Sequence, residues 1–208
     1  MAIDDMTKLF KHELGDLLFA EKTFLKGLKA MAKETSNPAI KQRILEHASE
    51  TEGHIDTLGR AFEAAGLKAK ATKCDAALGL KEEHDSFKEE EDPTPEILEA
   101  FNLGSGLRVE HYEIAGYRSA IVLAQTLGFS ESAALLQQIL AQEEAMAKFL
   151  EAQAPGALAS IAAEVEGEAG AGMETAVEPE VARSRSQSRP SSGGSTRPTT
   201  GRSASAGR

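Results

Sequence analysis

Tryptophan is absent, cysteine occurs once, and aromatic residues make up only 5% of the 208-residue chain. Each shortage excludes something. A single thiol, Cys74, cannot form an intramolecular disulfide, which fits a reducing cytoplasm as the expected location. No stretch approaches the ~18 consecutive apolar residues that a membrane-spanning helix needs, so no membrane partner is expected. The opening Met1-Ala2-Ile3-Asp4-Asp5 has neither the basic nor the apolar region of a secretory signal. A net charge of −10 argues against nucleic acid as the main partner of the folded part. What is abundant over the first three quarters is Ala, Leu, Glu and Lys, the residues that lose least rotamer freedom in a helix.

The charge is unevenly spread. Residues 183–208 hold six arginines and no acid, whereas 156–182 hold six glutamates and no base. The two blocks cancel, leaving the whole net charge on 1–155. Beyond Pro155 the chain turns to Ala, Gly, Glu, Ser and Pro. Such segments bury too little apolar area to offset their ordering entropy. The expected organisation is therefore a helical domain over 1–155 and a low-complexity, disordered tail over 156–208. That tail is acidic over 156–182 and Arg/Ser-rich over 183–208, with a short helix allowed in the Ala-rich stretch near 157–166.

Four segments of 1–155 carry apolar residues every three or four positions, the helical period. The first, from about Ile3 to Glu34, reads Met6, Phe10, Leu14, Leu17, Glu21, Phe24, Leu28, Met31. Asn37 and Pro38 start the second, a cap followed by a first-turn proline, and Gly66 ends it. Its stripe reads Ile40, Ile44, His47, Glu50 or Thr51, His54, Leu58, Phe62. Thr94 and Pro95 open the third, with Leu103, Leu107, Glu110, Glu113, Tyr117, Ala120 and Ala124; Ser130 opens the fourth, with Leu136, Ile139, Glu143, Met146 and Leu150. The first two segments, and the last two, are joined by short turns and should form antiparallel hairpins. Residues 67–93 lie between the hairpins, with the acidic run Lys81–Asp92 as a candidate short helix. A link of that length can cross a bundle of ~42 Å helices. The predicted fold is thus all-α, a ferritin-like four-helix bundle with one long crossover between its second and third helices.

Every stripe is interrupted near mid-length by an ionisable residue where a hydrophobe belongs: Glu21; His47, Glu50 and His54; Glu110 and Glu113; Glu143. An isolated core carboxylate costs several kcal/mol at least and needs a cation or partner. Any one of these glutamates, taken alone, reads more simply as a salt-bridged residue at the edge of its stripe. Four helices breaking pattern at one level point to a shared site. Carboxylate with imidazole suits a hard or borderline divalent ion, and two-metal bundles place Glu and Glu-x-x-His on facing helices. The expected cofactor is iron, with two ions possible and manganese or zinc as alternatives. Glu113 is the candidate bridge between the two. His47 reads either as a ligand or as a residue that only supports the ligands. His12, His84 and His111 read as surface residues, Cys74 as a buried small hydrophobe, and Tyr112 and Tyr117 as packing residues beside the site, with a hydrogen-bonding or redox-active role for Tyr117 as the alternative.

Several stretches resemble the signatures of the YciE/YciF-type ferritin-like proteins. They are Glu13-Leu14-Gly15-Asp16-Leu17-Leu18-Phe19-Ala20-Glu21, His47-Ala48-Ser49-Glu50-Thr51-Glu52-Gly53-His54, Cys74-Asp75-Ala76-Ala77-Leu78-Gly79-Leu80 and His111-Tyr112-Glu113-Ile114-Ala115-Gly116-Tyr117. They occur in order across about 3–153. The resemblance implies a rubrerythrin-related four-helix fold, a homodimer and a bacterial stress-response setting. It also implies Glu21, Glu50, Glu110, Glu113 and Glu143 as carboxylate ligands, with His54 or His47 as imidazole. Two departures stand out: Thr51 is three residues before His54, and Met146 is three residues after Glu143, where many relatives carry histidine.

Two functions follow. One is a metal centre that reacts with peroxide or oxygen. The other is a dimeric structural or interaction scaffold whose Arg-rich tail, with no aromatic for base stacking, could contact a partner or nucleic acid phosphates.

Overall fold

The computed structural model describes residues 2–174, with side chains placed to 167. The described residues are entirely helical apart from their connections: α1 (Met6–Glu34), α2 (Pro38–Ala64), α3 (Asp75–Glu91), α4 (Pro95–Thr126) and α5 (Ser130–Glu174). The four sequence stripes become α1, α2, α4 and α5. The Asp5 carboxylate caps α1 by accepting the Lys8 amide at 2.7 Å. The Asn37 side chain caps α2, with Pro38 in its first turn, and Thr94 caps α4 ahead of Pro95. Gly66 and Gly128 end α2 and α4 at φ of 69° and 75°, a region that costs a side chain dearly.

Two apolar clusters fix the topology. At one end, Phe10 and Leu14 of α1 meet Leu58 and Phe62 of α2, Tyr117 and Ala124 of α4, and Leu136 and Ile139 of α5. At the other, Leu28 and Met31 meet Ile40 and Ile44, Leu103, and Met146 and Leu150. The first cluster takes the early half of α1 and α5 but the late half of α2 and α4. Helices α2 and α4 therefore run parallel to each other and antiparallel to the other pair, as one long crossover requires. Around the bundle α1 touches α2 and α4, and α5 touches the same two. The candidate site lies between the two clusters.

Three features differ from expectation. The crossover helix α3 starts at Asp75, earlier than the acidic run, because the Cys74 thiol caps it by accepting the Ala77 amide. His84, expected at the surface, is mostly covered and lies 3.2 Å from Glu34. Helix α5 runs on through Pro155 to Glu174 rather than stopping near 155. Proline removes the hydrogen bond to the Glu151 carbonyl, but the helix is retained. Ala157 packs against the second cluster and Ile161 is buried. The Arg/Ser-rich segment 183–208 lies outside the described residues.

The crossover is seated by a close backbone approach. The Thr72 amide donates to the Gly15 carbonyl at 2.8 Å, and a Cβ on Gly15 would stand 2.5 Å from Thr72 Oγ1 and 2.8 Å from the Lys70 carbonyl oxygen. Backbone cannot yield as a flexible side-chain tip does, so Gly15→Ala is expected to cost about 1–3 kcal/mol. In a chain of this size that is a drop of several degrees in melting temperature. An unchanged melt would show that the loop is not anchored there.

Candidate metal centre

Helical spacing carries four carboxylates and two imidazoles into the bundle interior: Glu21 from α1, His47 and His54 from α2, Glu110 and Glu113 from α4, Glu143 from α5. All are at most 3% exposed. They fall into two groups of three. Glu21, His54 and Glu143 form one, and His47, Glu110 and Glu143 form the other, each with ligand-type atoms within 4.8 Å of one another. Glu143 belongs to both. Its Oε1 lies 2.9 Å from His54 Nδ1 and its Oε2 lies 3.2 Å from His47 Nε2. The outer distances are 3.4 Å for His54 Nδ1 to Glu21 Oε2 and 3.4 Å for His47 Nε2 to Glu110 Oε2.

The residues present fit a pair of divalent cations on one observation in particular. Glu21 Oε2, Glu110 Oε2, Glu113 Oε1, both oxygens of Glu143 and His54 Nδ1 are buried and have no hydrogen-bond partner. Donor atoms that crowd this closely without aligned hydrogen bonds are what a cation would satisfy. The outer ring nitrogens reinforce the fit. His47 Nδ1 lies 2.9 Å from Glu50 Oε2 and His54 Nε2 lies 2.9 Å from the Gln142 side-chain oxygen. Both partners are acceptors, so each outer nitrogen carries the proton and each inner nitrogen presents its lone pair when the ring is neutral.

Electrostatics without a cation follow from the same contacts. Burial would lower both imidazoles, but Glu110 and Glu143 outweigh it at His47, pushed up to about 11. Glu143 and Glu21 do the same at His54, pushed up to about 10. Burial would raise Glu143, but the two imidazoles hold it down to about 2. Burial raises Glu110 to about 7 against the opposing pull of His47. Glu113 has no imidazole against it. Burial and the charges of Glu143, Glu21 and Glu110 push it well above the carboxylate range. Protons thus occupy the positions that a cation would take.

Glu50 is set apart from the other candidates. Its carboxylate sits on the outer side of the His47 ring, more than a quarter exposed, paired with Arg43 Nη1 at 3.0 Å. It belongs to neither group of three. Spacing alone could not distinguish the two sides of His47. Glu113, expected to bridge, is buried beside the groups but outside both, while Glu143 has the shared position. Tyr117, read as packing, also donates its hydroxyl to Glu21 Oε1. Three supporting residues were missed. Arg43 shares the α2 face of His47 and Glu50 at i+4 and i+7, a legible signal. Gln142 precedes Glu143 but pairs across to α2, which no single-helix pattern reveals. Glu99 accepts the Ser36 and Asn37 amides at 2.8 and 3.1 Å, tying the α1–α2 turn to α4. Cys74 is buried as expected, and its sulfur lies 2.9 Å from Tyr112 Oη. Tyr112 in turn donates to Asp16 at 2.8 Å.

Known proteins share the fold and much of the sequence. The family described as "Domain of unknown function (DUF892)" matches residues 5–164. The curated Protein YciF of Escherichia coli K12 is 35% identical over 146 residues, which is 70% of this chain and 87% of YciF. The crystal structure of the E. coli stress protein YciF superposes with a TM-score of 0.70 at 33% identity, covering 75% of this chain and 98% of YciF. YcfI, a proposed structural protein from Rhodopseudomonas palustris, gives 0.69 at 31% identity, covering 73% of this chain and 97% of its own. A Xanthomonas campestris protein at 23% identity, TM-score 0.65 and coverage of 78% and 99%, shares the fold. On these matches, and on an all-helical crossover bundle with its carboxylates and histidines in one core, the chain belongs to the DUF892 family of YciF-like proteins.

Proposed function

We propose that this chain is a two-metal carboxylate protein, with iron as the favoured ion and manganese or zinc as alternatives, acting on peroxide or oxygen in a bacterial stress setting. Cytoplasmic residence and a homodimer belong to the same reading. The observation that carries it is the sharing of Glu143 between two buried groups of three whose inner oxygens have no hydrogen-bond partner. Glu21 with His54, and Glu110 with His47, would hold one ion each. Glu113 would add the fourth carboxylate once a cation offsets the negative charge around it. Bound there, a ferrous pair supplies the electrons for reducing a peroxide bond. The protein's own part is to keep water out, to hold the imidazoles in the metal-facing tautomer through Glu50 and Gln142, and to hold Glu21 through Tyr117.

The test is stopped-flow absorbance of iron-loaded, reduced protein mixed with hydrogen peroxide. Consumption faster than that of free ferrous iron is expected, and Glu113→Ala should remove the excess. Equal rates for wild type, Glu113→Ala and free iron would overturn the redox reading. They would favour the second one, a dimeric structural scaffold, which the description of YcfI as a proposed structural protein supports. Any contact of the Arg-rich tail with nucleic acid would belong to that second reading.

A further inference from the structure

A cavity of about 240 Å³ opens between α1, α3 and α4, and its lining reaches from exposed lysines at the mouth to Glu110. Its walls are apolar: Phe24, Leu28 and Met31 on one side, Leu80 and Val109 on the other. At about 30 Å³ per liquid water this is on the order of eight water-sized units, the bulk of a chain of roughly as many carbons. Oxygen or peroxide would leave most of it unfilled.

The mouth is cationic. Lys26, Lys81, Lys88 and the His84 imidazole line it together with Glu34 and Asp85, His84 lying 3.2 Å from Glu34 and 3.4 Å from Asp85. Lys88 pairs with Glu34 and Lys81 with Asp85. Among the described residues Lys26 has no ion pair, which leaves one positive charge in excess. At the far end Glu110 is 1% exposed and its Oε2 is unpartnered, so a second anionic group there would meet a carboxylate. One surplus cation outside, apolar walls, and an acid at the bottom select one chemistry.

We propose that this cavity binds an amphipathic monoanion, a medium-chain monocarboxylate, with its head group at the lysine mouth and its chain running along the apolar walls toward Glu110. The ligand's last carbons then lie beside the metal centre, and for that part alone the inference rests on the reading above.

Binding is tested on full-length protein freed of metal by chelation, titrated with octanoate by calorimetry at pH 8. One-to-one saturable binding is expected, with octanoate about tenfold tighter than hexanoate for its two extra methylenes. Octanedioate should bind far more weakly, and 1-octanol about threefold to fivefold more weakly for the lost exposed ion pair. Lys26→Glu should weaken octanoate about threefold to fivefold. Gly27→Phe should abolish binding by filling the mouth. Gly27 lines the cavity and a Cβ there meets nothing within 4 Å, so the backbone leaves room for a side chain to start, and an unchanged melt would verify that the variant folds. Equal affinity for octanedioate or 1-octanol, or undiminished binding in Gly27→Phe, would overturn the proposal. In manganese-loaded protein the terminal methyl resonance of octanoate should broaden more than that of C2, and the reverse order would also overturn it. Intact titration with no broadening of either would uphold the binding site and count against the metal centre instead.

Discussion

Glu143→Ala is expected to abolish tight metal binding at both positions, whereas removal of any other single acid should weaken one position more than the other. The asymmetry follows from geometry. Glu21 and Glu110 each face one imidazole, but Glu143 turns one oxygen to His54 and the other to His47. Deleting it also leaves two buried imidazoles short of their common counter-charge, so each loses one of the two carboxylates that hold it protonated, Glu110 remaining at His47 and Glu21 at His54. Breaking such a buried set by removing one partner costs about 3–5 kcal/mol, and a lower melt of the metal-free variant should accompany the lost affinity. Glu50→Gln and Arg43→Ala act one step further out, on the orientation of His47, and should lower affinity about tenfold to a hundredfold. Competition titrations with a chromogenic chelator would rank the variants. Equal losses for Glu143→Ala and Glu50→Gln would refute the distinction between shared ligand and support.

Metal loading should stabilise the fold strongly. A cation bound only to the folded state at a thousand times its dissociation constant adds about 4 kcal/mol. At ~2–4 °C per kcal/mol for a chain of this size, the melting temperature should rise by roughly 8–16 °C. The gain should depend on pH, with a definite sign. In the metal-free fold His47 and His54 titrate near 11 and 10, above the ordinary imidazole value. Their protonation stabilises that state fully below about 6.5 and is lost as pH rises through 10–11. A cation must displace those protons. Affinity should therefore rise with pH across 6 to 9, with proton release on binding. Calorimetry in buffers of different ionisation enthalpy reads that release directly. Affinity that falls over the same range would contradict the arrangement.

Much of this was legible in the sequence because each element announces itself locally. Asn37-Pro38 and Thr94-Pro95 mark helix starts, Gly66 and Gly128 mark ends, and the stripes give the buried faces. Six of the seven candidate ligands lie in the core because each replaces a hydrophobe within such a stripe. What stayed hidden depends on contacts between elements. Glu50 has the right spacing but points to the far side of the His47 ring. Gln142 and Glu99 act across helices. His84 looks exposed until α3 is laid against α1. Cys74 caps α3 through a thiol, a residue type that capping preferences do not favour. The continuation of α5 through Pro155 was missed because proline is costly inside a helix. There, burial of Ile161 and packing of Ala157 accompany it.

Anomalous diffraction from iron-loaded crystals at the iron edge tests most directly whether Glu143 is shared by two metal positions. Two peaks are expected, one among Glu21, His54 and Glu143 and one among His47, Glu110 and Glu143. A single peak, peaks away from Glu143, or none after ferrous loading would contradict that sharing.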